Sequence, residues 1–154
     1  MLSYRNMYSL TVVIPFYNEE DFLQESFERL LSSGVADKIF LVDDSSIDSS
    51  KEIAKNIANT HVNVSYFLNK SNKGKGSALT SIKEHIQTSH IAIHDADLEY
   101  NPNDLLKLKK LSIKNQNSLI LGSRFAGSLE RNNLYKSTYV ANKFLSCLFS
   151  IVNF

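Results

Sequence analysis

A chain of 154 residues with 43% apolar content is long enough to bury one core, and no compositional break divides it, so a single domain over 1–154 is expected. Its 17 Lys plus Arg against 16 Asp plus Glu leave a formal charge of +1 with no basic block, which excludes nucleic acid as the expected partner. The one cysteine, Cys147, excludes an intrachain disulfide and a multi-cysteine zinc site, and fits a reducing, cytoplasmic setting.

The opening Met1 to Asn6 lacks the features of an export signal. Leu10 to Ile14 is the first of five apolar runs rich in β-branched and aromatic residues and reads as a strand. Pro15, which has no N–H, is expected to end its ladder. The loop Pro15-Phe16-Tyr17-Asn18-Glu19-Glu20 then enters a helix marked by Phe22, Phe27, Leu30 and Leu31. Tyr17 offers a flat face and a hydroxyl suited to a base or ribose, and Glu19 an acceptor for ribose hydroxyls. Acidic residues are also ordinary at a helix N-terminus, which explains the same letters without a ligand.

The second strand, Lys38 to Val42, ends in Asp43-Asp44-Ser45-Ser46-Ile47-Asp48: acids, hydroxyls, then a helix carrying Ile53, Ile57 and Ala58. Asp48 or Ser49 serves as its cap, with Glu52 in the first turn. Asp44 is the candidate for accepting a base N–H, against the simpler account of a turn plus a cap. A third run, Val62 to Leu68, precedes the glycine-bearing loop Asn72-Lys73-Gly74-Lys75-Gly76-Ser77-Ala78-Leu79, which opens a helix through Leu79, Ile82 and Ile86. Backbone N–H groups with Lys73 or Lys75 suit phosphate oxygens there, although an exposed turn is the simpler account. The Walker spacing and Gly-x-Gly-x-x-Gly are both absent.

The fourth run, Ile91 to His94, leads into Asp95-Ala96-Asp97-Leu98-Glu99, the strongest local signal. Residues two apart on an extended chain point the same way, so Asp95 and Asp97 converge on one cation and Glu99 completes the set. Mg²⁺ or Mn²⁺ takes oxygen ligands, commonly one or two carboxylates plus substrate phosphates, and Ala96 is small enough to let a ligand approach the backbone. A solvated acidic loop is the competing account, disfavoured because three acids after a buried run repel unless neutralised. His94 has no partnering His or Cys and reads as a strand-end residue.

Asn101-Pro102 opens a fourth helix through Leu105, Leu106, Leu108 and Leu111. The fifth run, Leu119 to Leu121, is followed by Gly122-Ser123-Arg124, whose guanidinium fork suits a diphosphate or a surface salt bridge. The end of the chain, about 138–154, is apolar; Phe144 to Phe154 is uncharged and shorter than the roughly 20 residues a membrane-spanning helix needs. It suits packing on a core or contact with a membrane surface. Strand and helix alternate throughout, which predicts an α/β fold: a mostly parallel sheet with helices on both faces and ligands at the carboxyl ends of the strands.

These five stations, in this order, resemble the inverting, nucleotide-sugar-dependent glycosyltransferases of the GT-A (Rossmann-like) fold, of the dolichol- or polyprenyl-phosphate sugar synthase type. The resemblance runs from Val12 to about Asn142. It rests on Val-Val-Ile-Pro-Phe-Tyr-Asn-Glu, Leu-Val-Asp-Asp-Ser-Ser, Asn-Lys-Gly-Lys-Gly-Ser-Ala-Leu, Asp-Ala-Asp-Leu-Glu and Gly-Ser-Arg-Phe. It implies that Pro15, Tyr17, Glu19, Val42 and Asp44 surround the nucleoside, and that Asp95, Ala96 and Asp97 meet the diphosphate and a Mg²⁺ or Mn²⁺ ion. Asp97 is the implied catalytic residue, Arg124 lies beside the phosphates, and Lys75 matches a basic loop position. Glu99 stands where such synthases often have Gln and remains an oxygen ligand.

The implied reaction moves a sugar from a nucleoside diphosphate sugar to a polyprenyl phosphate, with inversion, at the inner face of a membrane. Catalytic domains of this type continue beyond the point where Phe154 stops. The expectation is therefore a C-terminally truncated GT-A domain, with the remainder supplied by a second copy or a partner chain. The competing expectation is a non-catalytic nucleotide-sugar-binding remnant or one subunit of a split glycosyltransferase. A phosphoacceptor receiver domain does not fit acids after the second and fourth strands, and an Asp-x-Asp phosphatase does not fit Leu98-Glu99.

Overall fold

The computed structural model describes residues 8–115 and 118–122; Arg124 and the apolar end at 138–154 lie outside them. The chain divides into two compact units, Met1–Leu121 and Gly122–Phe154, and the first of them carries the sheet. In chain order it holds β1 (Leu10–Phe16), α1 (Leu23–Ser33), β2 (Lys38–Asp43), α2 (Ser50–Thr60), β3 (Val64–Leu68), α3 (Lys75–Ser81), a 3₁₀ turn (Lys83–His85), β4 (His90–Ile93) and α4 (Asn103–Lys114). The four strands form one sheet in the order β3-β2-β1-β4. Every pairing is parallel, with Val13 opposite both Phe40 and Ile93.

A parallel sheet needs cover on both faces, and the alternation of side chains along the strands supplies two apolar surfaces. Val12, Ile14 and Phe16 of β1 join Ile39 and Leu41 of β2 against Leu23, Phe27 and Leu30 of α1 and Ala54 and Ile57 of α2. Val13, Phe40 and Val42 face the other way, onto Ala78 of α3 and Ile82. The buried positions of α1 fall at one helical stripe, and the helix stops at Gly34, where φ is 61° and the amide N–H donates to Leu31 O at 3.1 Å. Phe27, 1% exposed, anchors the larger cluster; such a truncation to alanine costs about 3–5 kcal/mol.

Several boundaries differ from those expected. Pro15 does not end β1: the strand pairs with β2 as far as Phe16 opposite Asp43. The backbone alternation explains why. Phe16 O accepts from Asp44 N–H at 2.9 Å and Val13 O accepts from His94 N–H at 2.9 Å, so Phe16 turns toward β2 while Val13, and with it Pro15, turns toward β4. The missing N–H thus falls on the β4 side, where pairing stops after Val13 opposite Ile93. The third strand starts at Val64, Val62 being fully exposed. Helix α3 ends at Ser81, and the 3₁₀ turn still keeps Ile82 buried, with Ile86 packed against the same cluster.

Leu119 to Leu121 is not a strand: Leu119 and Leu121 are 83% and 77% exposed, and no ladder partner for them exists among the described residues. An apolar run gains a ladder only where a sheet edge lies beside it. In α4, Leu105 and Leu106 pack on the larger cluster whereas Leu111 is 48% exposed.

The chain leaves β1 toward β2 and β3 on one side and returns to β4 on the other. At such a switch the loops leaving adjacent strands part company, opening a crevice at the carboxyl edge between β1 and β4.

Candidate functional site

Three loops meet at this edge: that leaving β1, that leaving β2 and that leaving β4. Each contains one non-glycine residue with positive φ, namely Asn18 (55°), Ser45 (73°) and Leu98 (61°). The left-handed conformation costs an L-residue about 1–2 kcal/mol, so the surrounding contacts must hold these turns in place.

For the first two loops those contacts form a reciprocal zipper. Asn18 N–H donates to Ser46 Oγ at 3.0 Å, Glu19 N–H to Ser50 Oγ at 2.8 Å and Glu20 N–H to Asp48 Oδ2 at 3.2 Å. In return, Ile47 N–H donates to Asn18 Oδ1 and Ser49 N–H to Glu20 Oε2, each at 2.9 Å. Asp48 Oδ1 also accepts Ser50 N–H at 3.0 Å from one residue ahead of the cap, which is Ser49, whose own side chain makes no capping hydrogen bond. Burial raises the Asp48 carboxyl, but the hydrogen bonds from Ser50 and from the Glu20 backbone outweigh it and hold the group below its ordinary value.

The two acids after β2 have different environments. Asp43 is fully buried; its Oδ1 accepts Ser46 N–H at 2.7 Å and its Oδ2 accepts the Tyr66 hydroxyl at 2.9 Å. Burial, that hydrogen bond and the Asp43 charge together push the Tyr66 phenol well above its usual value. Asp44 is 4% exposed and gathers the next loop: Asn69 Nδ2 donates to Oδ1 at 2.8 Å, while Lys73 N–H and Gly74 N–H donate to Oδ2 at 3.0 and 2.6 Å. Gly74 has φ 84°, a conformation that a side chain at this position would strain. Asp44 therefore fixes the backbone from which Lys75 projects.

After β4 the chain leaves the strand at Ile93, so simple alternation no longer orients the Asp-x-Asp segment. Ala96 turns inward and is 3% exposed within the larger core cluster, Asp95 is half-buried, and Asp97 and Glu99 are exposed. Asp97 Oδ1 accepts Glu99 N–H at 3.0 Å across the left-handed Leu98. Ser26 Oγ of α1 donates to Asp95 O at 3.4 Å, and Lys75 Nζ forms an ion pair with Asp95 Oδ1.

Asp95 and Asp97 both act on Glu19. Burial comes first among the causes that raise the Glu19 carboxyl, followed by repulsion from Asp97, Asp48 and Asp95. Glu19 thus lies in a negative field to which Asp97, Asp48 and Asp95 all contribute. His94, buried behind them, is held below its usual value by desolvation, against the pull of Asp95 and Asp97.

Tyr17 is 41% exposed at the rim, Pro15 is buried beside the switch, and the side chain of Val42 is wholly within the α3-facing core. Among the described residues no group of three or more His, Cys, Asp or Glu side chains is arranged to hold a metal ion. Two carboxylates, Asp95 and Asp97, nonetheless suit a Mg²⁺ or Mn²⁺ that arrives with phosphate oxygens, since such ions commonly take one or two carboxylates and fill the remaining positions from substrate and water. A cavity of about 430 Å³ lined by Glu25, Arg29, Ser33, Asn101 and Pro102, among others, contains none of the strand-end acids.

Sequence reasoning did not find Asn18, Ser46 and Ser50 as the zipper, nor Tyr66 and Asn69 as the partners of the two acids. The run of hydroxyls after Asp43-Asp44 was the available signal for the first group; the partners lie 23 to 31 residues apart in the chain.

The same fold occurs in solved structures. A mannosyltransferase from Pyrobaculum calidifontis in complex with GDP-Man and Mn²⁺ superposes with a TM-score of 0.59 at 24% identity, over 67% of this chain and 32% of that one. Staphylococcus aureus TarS 1–349 in complex with UDP-GlcNAc gives 0.60 at 18% identity, over 77% and 38%. Among sequence relatives, an undecaprenyl-phosphate 4-deoxy-4-formamido-L-arabinose transferase of Edwardsiella ictaluri is 35% identical over 114 residues, 70% of this chain and 35% of the relative. An uncharacterized glycosyltransferase of Haemophilus influenzae is 31% identical over 117 residues, 75% and 46%. The chain therefore spans between a third and a half of the length of these relatives. The family description matches from the second residue of β1 past the end of the described region, over residues 11–150, and the chain belongs to glycosyl transferase family 2.

Proposed function

We propose that this chain carries the donor site of a glycosyltransferase that moves a sugar from a nucleoside diphosphate sugar to a polyprenyl phosphate, with inversion at the anomeric carbon. The observation that carries this reading is the meeting of the Asp95-Ala96-Asp97 loop with the Asp44-anchored loop at the carboxyl edge of the sheet, where Lys75 reaches Asp95 and Glu19 lies in the field of the same acids. Carboxylates that repel one another at one edge favour a cationic or cation-bearing ligand there. A nucleoside diphosphate sugar with a divalent ion fits, and the likeness to folds holding GDP-Man with Mn²⁺ and UDP-GlcNAc supports it. The acceptor class is supported by relatives whose names specify undecaprenyl phosphate.

In this reading Asp95 and Asp97 hold the Mg²⁺ or Mn²⁺, with Glu99 next to them on the same loop; the bound ion offsets charge on the departing diphosphate. Tyr17 and Pro15 border the nucleoside, Glu19 accepts from ribose hydroxyls, and Ala96, its methyl turned into the core, leaves the backbone between Asp95 and Asp97 to the diphosphate. Val42, wholly buried, supports the nucleoside side only through packing beneath it, and Asp44 acts at the nucleoside side while holding Lys73 and Gly74. Arg124, outside the described residues, is assigned to the phosphates by resemblance alone. An acceptor phosphate is already ionised at neutral pH, so the site needs no strong general base. The lipid acceptor is met at the surface of the inner leaflet. No helix among the described residues is long and apolar enough to cross a membrane.

The test is turnover. Purified chain, Mn²⁺, undecaprenyl phosphate in detergent micelles and labelled UDP- and GDP-sugars should yield a labelled lipid, and Asp97→Ala should abolish it. Donor binding with no labelled lipid would favour the reading of this chain as a non-catalytic binding unit or as one subunit of a split enzyme. Absence of both binding and product would overturn the donor-site assignment.

A further inference from the structure

Asp95 already has a cation. Lys75 Nζ bonds to its Oδ1, joining the first residue of α3 to the loop after β4. The other ion pairs among the described residues, Arg29–Glu25, Lys55–Glu52 and Lys107–Asp104, each link neighbours on one helix. The pair at Lys75 instead ties two loops across the site. Its backbone is not free to follow the ammonium, because Lys73 and Gly74 donate to the buried Asp44 carboxylate. The four-carbon side chain is free to do so, being about half exposed.

We propose that Lys75 is a resident counter-cation that a divalent ion displaces. In the ligand-free protein its ammonium occupies the charge position at Asp95; when metal and donor arrive, it leaves that carboxylate and turns to the diphosphate oxygens. This rests on the donor-site reading above and adds an order of events to it. Metal alone must compete with a tethered ammonium, whereas metal together with a diphosphate gives the ammonium another anion to meet. Binding of the two is thereby coupled, and the free protein has a weakened hold on the ion. The coupling is modest, because an ion pair half open to water is screened.

Opposite signs at one residue make the test specific. Mn²⁺ binding to the whole chain without nucleotide is followed by loss of the free-ion electron paramagnetic resonance signal, and UDP and GDP binding without metal by calorimetry. Lys75→Met should bind Mn²⁺ about two- to fivefold more tightly and the diphosphates more weakly by a similar factor. Lys75→Arg should stay near the parent in both, and Asp97→Asn should lose the Mn²⁺ signal. A lysine needed only to shape the loop would weaken both ligands when removed. If Lys75→Met leaves Mn²⁺ affinity unchanged or lowers it while Asp97→Asn still loses it, the displacement proposal fails and the metal assignment stands. If no variant, the parent included, shows Mn²⁺ binding that depends on Asp97 either alone or in the presence of UDP or GDP, the donor-site reading fails with it.

Discussion

Removing the Tyr66 hydroxyl should destabilise the fold from the edge of the site. Tyr66→Phe deletes the donor to Asp43 Oδ2, 2.9 Å away, and strips that oxygen of a wholly buried carboxylate of its hydrogen bond. Hydrogen bonds to charged groups contribute about 1.5–3 kcal/mol, and the half-buried phenol places this one near 2 kcal/mol. In a chain of 154 residues that loss lowers Tm by about 4–8 °C. The pH dependence has a definite sign. The folded phenol holds its proton above the unfolded value of 10.0, so the unfolded chain ionises first as pH rises. The contribution is complete below pH 10 and is lost as pH climbs through the folded value. Urea melts of parent and variant should therefore differ by a constant amount from pH 7 to 10, and by less above. A difference below about 0.5 kcal/mol at pH 7, or a gap that widens in alkali, would refute the charge-assisted bond.

Gly34→Ala should cost about 1 kcal/mol, with Gly34→Asn costing less; no atom lies within 4 Å of the added Cβ, so the penalty is that of φ 61° alone. Equal stability of parent and alanine variant in thermal melts would contradict it. Asp44→Asn should raise the hydrogen-exchange rates of the Lys73 and Gly74 amides about tenfold or more, because the carboxylate that accepts both is replaced by a weaker acceptor with donors of its own. Unchanged exchange at both amides would show that Asp44 does not hold the loop.

Much of this architecture was legible because parallel strands buried on both faces leave long apolar runs. Leu10 to Ile14 and Lys38 to Val42 lie within the observed β1 and β2, and the spacing of Phe27 and Leu30 marks the face of α1 that meets them. Acids at the ends of β2 and β4 were legible as charges that close apolar runs, although only β2 is buried as expected: Ile91 and Ile93 of β4 are 47% and 45% exposed. Other features depend on partners distant in the chain. Whether Leu119 to Leu121 pairs depends on a neighbouring edge, and whether Pro15 breaks a ladder depends on the side to which its nitrogen turns. Asp43 and Asp44 are adjacent and chemically identical, yet one is locked to Tyr66 and Ser46 and the other to Asn69, Lys73 and Gly74. The register of β2 against β3 brings Tyr66 to Asp43, and the path of the loop after β3 brings Lys73 and Gly74 to Asp44.

The central claim is that exposed Asp97, with Asp95, joins the protein to a metal-bound nucleoside diphosphate. Calorimetric titration of the parent chain and Asp97→Ala with UDP and GDP, each with and without Mn²⁺, tests it most directly. The account predicts binding by the parent that Mn²⁺ strengthens, and a variant that still melts cooperatively but in which Mn²⁺ gives no gain. Equal Mn²⁺-dependent affinity in the two proteins would contradict it.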